Sequence, residues 1–98
     1  MQLTPAEIAA IKAATRLTFG PDAVVRLFGS RVIDDQRAAD IDLHIETPED
    51  IDIWFYKDAF LERVFARIDQ QRIDVIVTGR GHKPTPIAAI AYRDGVIL

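Results

Sequence analysis

Apolar positions along the chain change period several times, and each change marks an element. Ile8, Ile11, Ala14 and Leu17 recur at helical spacing, behind Thr4, Pro5 and Glu7. Those three residues read as a helix start: the threonine caps, proline is tolerated in the first turn, and the glutamate reaches back to close a capping box. Gly20-Pro21 ends the helix. Ala23 to Phe28 is a short apolar run, broken by Arg26, that reads as a buried strand, and Gly29-Ser30 falls where it stops. Val32 to Ala39 is polar with little periodicity and reads as a short helical turn or loop.

From Asp40 to Ile45 the period becomes two. Asp40, Asp42 and His44 then share one strand face and Ile41, Leu43 and Ile45 the other, so one face is chemical and the other is core. Thr47-Pro48-Glu49-Asp50 is a turn or helix start. Phe55 to Ile68 returns to helical spacing, with Phe60, Leu61, Val64, Phe65 and Ile68 on a stripe suited to pack on a sheet. Ile73 to Val77 reads as the third strand, Gly79 to Pro84 as a mobile basic loop, and Thr85-Pro86 as the start of a last helix ended by Asp94-Gly95 before the apolar tail Val96-Ile97-Leu98. No repeat, low-complexity tract or linker interrupts this order.

Composition narrows what these elements can do. The 98 residues, 49% hydrophobic and 28% charged, describe one compact soluble domain over residues 1–98. No apolar run approaches the roughly 20 residues that cross a bilayer, and the N-terminus lacks the blocks of a secretory signal, so the expected setting is cytoplasmic with no membrane partner. The absence of cysteine excludes disulfides and thiolate chemistry, and two histidines make a poor zinc centre. A net charge of −3 disfavours stable binding of nucleic acid. Oxygen chemistry is what remains.

Asp40 and Asp42, one residue apart on a strand, project together and are spaced to hold a hard cation; magnesium takes one or two protein carboxylates and completes its octahedron with water and phosphate. Asp74 interrupts a run, Ile73 to Val77, that otherwise favours burial, and a buried carboxylate costs several kcal/mol unless paired or metal-bound. A third acid from a neighbouring strand lets two ions share one site. Gly29 and Ser30 supply the phosphate side, glycine by letting the backbone approach and serine by donating its hydroxyl, and Arg31 adds a charged fork. Each feature alone has a plainer reading: an ordinary turn, a solvated strand face, an ion pair of Asp74 with Arg72 or Arg80. Their combination in this order points to a nucleotide site. The chain has neither a P-loop nor a dinucleotide-binding glycine pattern.

Phe28-Gly29-Ser30-Arg31, then Asp40-Ile41-Asp42-Leu43, then Ile73-Asp74-Val75 together resemble the minimal nucleotidyltransferase family of the DNA polymerase β superfamily. The likeness covers about Val24 to Val77, and the ending Ile87 to Leu98, with Tyr92-Arg93-Asp94-Gly95-Val96, also resembles small members. The resemblance implies an α/β (α+β) palm-like fold, a small mixed sheet flanked by helices. It also implies that Gly29 and Ser30 meet the triphosphate, that Asp40, Asp42 and Asp74 form the metal-binding and catalytic triad, and that Asp74 aligns or deprotonates the incoming hydroxyl. The expected reaction is metal-dependent transfer of a nucleoside monophosphate, AMP from ATP, to an acceptor hydroxyl, with magnesium or manganese as the ion. One departure is Ala39, where the family usually has glycine or serine before the paired acids.

A palm of this length leaves no room for an acceptor domain, so a partner is expected to supply it. Small members of the resembled family pair with a helical HEPN-type protein, in some systems as an antitoxin that attaches AMP to a tyrosine of its toxin. The competing reading is a binding module of weak or vanished activity that neutralises its partner by contact. Homo-oligomerisation through Trp54, Phe55, Phe60 and the apolar tail is compatible with either. Of the remaining residues, His44 is placed on the acidic face as a phosphate or metal-water contact or as a hydrogen-bonded structural group. Arg80, His82 and Lys83 are a loop over the triphosphate or a solvated one. Trp54, Phe55 and Tyr56 are a base-stacking surface or core.

Overall fold

The computed structural model describes residues 3–29, 40–48 and 53–98, with the backbone alone at 53 and 54. In chain order these form α1 (Pro5–Phe19), β1 (Val24–Phe28), β2 (Ile41–Thr47), α2 (Ile53–Phe65), β3 (Ile73–Gly79), α3 (Pro86–Asp94) and β4 (Val96–Ile97). It is an α+β fold: a four-stranded mixed sheet with helices on both faces. Among the described residues no helix is long and apolar enough to cross a membrane.

The start of α1 follows from its first residues. Thr4 Oγ1 accepts from the Glu7 amide at 3.1 Å while Glu7 Oε1 accepts from the Thr4 amide at 2.8 Å, which satisfies two otherwise orphan donors. The other oxygen of Glu7 accepts from Gln71 Nε2 at 2.8 Å and so ties the helix start to the approach of β3.

The sheet order is β3-β2-β1-β4. β1 runs antiparallel to both neighbours, and β2 and β3 run parallel. A parallel pair needs a crossover, which α2 provides. Alternation along the strands sends Val25, Leu27, Ile41, Leu43, Ile45, Ile73 and Val75 to one face, where they join Ile11, Ala14, Phe60 and Val64 in the core under α1 and α2. α3 covers part of the opposite face with Tyr92, whose ring meets that of His44 edge-on at 4.6 Å.

Three sequence expectations change here. Leu17 is 71% exposed, and Thr15 and Thr18 take its place in the buried stripe. A strict three-residue spacing lags by about 60° per step on a helix of 3.6 residues per turn, so three steps from Ile8 carry Leu17 to the far side. Thr18 falls back in line and accepts a hydrogen bond from Arg63 of α2 at 2.9 Å. Phe60, read both on the stripe that packs on the sheet and on an oligomer surface, takes the first place only: it has no exposed area and its ring lies 5.9 Å from that of Phe19, whereas Phe55 is 70% exposed. The apolar tail is an edge strand: Val96 and Ile97 pair with Leu27 and Arg26, and the Leu98 amide donates to the Val25 carbonyl at 3.0 Å. The side chain of Trp54 and the whole of Val32 to Ala39 lie outside the described residues.

Candidate active site

The period of two in β2 sends Asp42, His44 and Glu46 to the face opposite the core. Register then decides their neighbours: Phe28 of β1 pairs with Asp42, and Asp42 pairs with Asp74 of β3. Adjacent strands lie about 4.8 Å apart, so the two aspartates stand side by side at one end of the sheet. Asp40 precedes β2 at the same end. Gly29, directly after β1, has φ +82° and turns against Asp42; a Cβ built on it would collide with Asp42 Oδ2. Only glycine brings this turn so close to the carboxylate.

Charge at this end is unbalanced. Burial raises the Asp42 carboxyl above its ordinary range, and the charges of Asp74 and Asp40 raise it further. The counter-charge comes from Arg72, whose Nε lies 3.2 Å from Asp40 Oδ2 and 3.8 Å from Asp74 Oδ1. Its backbone carbonyl accepts from the Ile41 amide at 3.2 Å, which fixes the arginine beside the start of β2. Among the described residues no three acids or histidines already stand in metal-holding geometry. The donor chemistry nevertheless fits a hard cation: oxygen ligands only, gathered at one end of the sheet, with one carboxyl whose ionisation the other two oppose.

The structure separates two other groups from this site. His44 has no exposed area; its Nε2 lies 3.0 Å from Thr78 Oγ1, and among the described residues its Nδ1 is buried without a partner. It is therefore a structural group beneath Tyr92 rather than a contact for phosphate. Burial, followed by the charge of Arg26, lowers its pKa, with Glu46 opposing. The Arg80 to Lys83 loop follows the far end of β3. Gly79 pairs with Thr47, five residues beyond the Asp42–Asp74 pair, or about 16 Å along the strands. Arg80 closes a different network there: it donates to Glu46 at 2.6 Å and to the Asp22 carbonyl at 2.9 Å, and Arg26 donates to Glu46 at 3.0 Å while lying over the Tyr92 ring at 4.7 Å. Burial pushes Glu46 up, but these hydrogen bonds and charges outweigh it and its pKa falls below the ordinary value.

Ser30, Arg31 and Ala39 lie outside the described residues. Sequence reasoning named Arg72 only as a salt-bridge partner for Asp74; that it reaches Asp40 as well depends on the strand register. The covering of His44 by Tyr92, 48 positions later, had no local signal.

The model of the nucleotidyltransferase domain family matches residues 10–96. The chain belongs to that family. The match takes in the turn at Gly29, Asp40, and the strands that carry Asp42 and Asp74, and a nucleotidyltransferase domain of this size agrees with the minimal form of the fold. None of the curated proteins compared with the chain matches it. Nucleotidyl transfer is thus the general chemistry of this domain.

Proposed function

We propose that this nucleotidyltransferase domain transfers AMP from ATP to a hydroxyl group of a protein partner in a reaction that requires magnesium or manganese. The observation that carries the reading is the adjacency of Gly29, Asp42 and Asp74 at one sheet end, a turn suited to phosphate set against carboxylates suited to a cation. Asp40, Asp42 and Asp74 hold the metal, which when bound lowers the pKa of the acceptor hydroxyl and neutralises charge on the triphosphate. Asp74, partly exposed and next to Asp42, takes the proton from the acceptor. The acceptor oxygen bonds to the α-phosphorus as the bond to the bridging oxygen breaks, and pyrophosphate leaves with that electron pair. Gly29 allows the backbone to approach the phosphates, with Ser30 and Arg31 as donors beyond it.

By the family resemblance the acceptor is a tyrosine of a small helical HEPN-type protein in the same cytoplasm, and the domain is the antitoxin of the pair. Ile87 and Ile90 support a docked partner: three residues apart on α3, they are 50% and 45% exposed. The same apolar residues equally serve neutralisation by contact without chemistry. Thermal unfolding separates the two readings. A ligand that binds only the native state at a hundredfold excess over its Kd adds about 2.7 kcal/mol of stability. Magnesium with ATP is expected to raise the midpoint of the parent chain and to leave Asp42→Ala unmoved; an unchanged parent midpoint at millimolar ATP contradicts the enzymatic reading.

A further inference from the structure

Arg72 brings a positive charge to two of the three acids of the proposed site. Its Nε faces one carboxylate oxygen of Asp40, just before β2, at 3.2 Å and one of Asp74, on β3, at 3.8 Å. The backbone contact with Ile41 holds its Cα in place, while the side chain is 73% exposed and free to swing into solvent. A guanidinium in this place does two things. It draws together acids whose mutual repulsion otherwise spreads them, and it lowers their attraction for a second cation. We infer that Arg72 is a displaceable internal counter-cation that holds the acids in the metal-free protein and competes with the metal for them, so that ion binding requires the arginine to leave. This rests on the proposed site and adds to it a built-in weakening of metal affinity in the absence of nucleotide. Once released, the guanidinium stands at the mouth of the site, where an incoming triphosphate offers it new oxygens.

The test is binding of Mn²⁺ to the full metal-free chain at low ionic strength, read as loss of the free-ion paramagnetic resonance signal. A unit charge about 6 Å from a divalent ion at the dielectric of water changes its affinity about tenfold, and salt erodes the effect. Arg72→Gln is expected to bind Mn²⁺ about tenfold more tightly than the parent, with the gap closing at high salt. Arg72→Lys, which keeps the charge, is expected to stay near the parent value. Lys83→Gln removes the same charge from the opposite end of the sheet and is expected to leave affinity unchanged. Equal Kd values for parent and Arg72→Gln, or an equal gain from Lys83→Gln, overturn the role of Arg72 and leave the metal site standing. No Mn²⁺ binding by either protein overturns both. The exposure of Arg72 makes loss of folding in its variants unexpected, and far-ultraviolet circular dichroism on the same samples verifies it.

Discussion

Asp42 stands opposite Asp74 on adjacent parallel strands, with burial and two neighbouring carboxylates opposing its ionisation. A carboxyl whose folded-state pKa lies above its unfolded value is a destabilising group once ionised. Stability falls as pH rises from the unfolded value, near 3.8, through the folded one, and the loss is complete above the folded value. Asp42→Asn is therefore expected to raise the thermal midpoint at pH 7 while abolishing activity. The gain disappears below the ordinary carboxylate pKa. A midpoint lowered at pH 7 contradicts the charge balance described for the site.

Much of this arrangement was legible in the chain. The alternation from Asp40 to Ile45 gave the two faces of β2. The lone acid in Ile73 to Val77 reads as a carboxylate whose burial needs a reason, but the side chain of Asp74 is 54% exposed beside Arg72, so strand register and not burial sets Asp74 next to Asp42. Strand pairing was not legible, and it decides the rest. The parallel register of β2 with β3 places the acids at one end and Arg80 at the other, which removes the basic loop from the triphosphate. His44 alternates onto the acidic face as expected, but Tyr92 of α3 covers it, a contact no local pattern announces.

Gly29 is expected to tolerate no side chain. Gly29→Ala combines a positive φ with a collision against Asp42 Oδ2, and strain of this kind costs about 1–3 kcal/mol. Denaturant unfolding is expected to register that loss, and nucleotide binding to weaken with it because the turn or Asp42 must shift. Full stability and unchanged ATP affinity in the variant would falsify the close approach.

His44 sets an acid limit on stability. Its depressed pKa keeps it neutral in the folded protein, so stability is present above the unfolded value of about 6.5 and is lost as pH falls through it toward the folded pKa. Arg26 lies beside it, Glu46 opposes the shift, and Tyr92 covers it. His44→Gln, which removes the titrating ring, is expected to flatten the dependence of unfolding free energy on pH below about 6.5. An unaltered slope contradicts the neutral buried state.

Phe55 and Phe60 separate surface from core. Phe60→Ala leaves a cavity under both helices and is expected to cost about 3–5 kcal/mol, enough to unfold a marginal domain. Phe55→Ala is expected to change stability by less than about 1 kcal/mol, and any role of the exposed ring in self-association then appears as a shift of sedimentation coefficient with concentration. A large loss of stability from Phe55→Ala contradicts its placement.

The most direct measurement of the central claim is transfer of label from α-phosphate-labelled ATP to protein, with the chain, magnesium and the helical partner together. The parent chain is expected to label the partner, and the Asp40→Ala, Asp42→Ala double variant to lose at least about a thousandfold in rate, the loss that follows when several kcal/mol of transition-state charge stabilisation are removed. Transfer that survives the double substitution at the parent rate would contradict the assignment of the site to these acids.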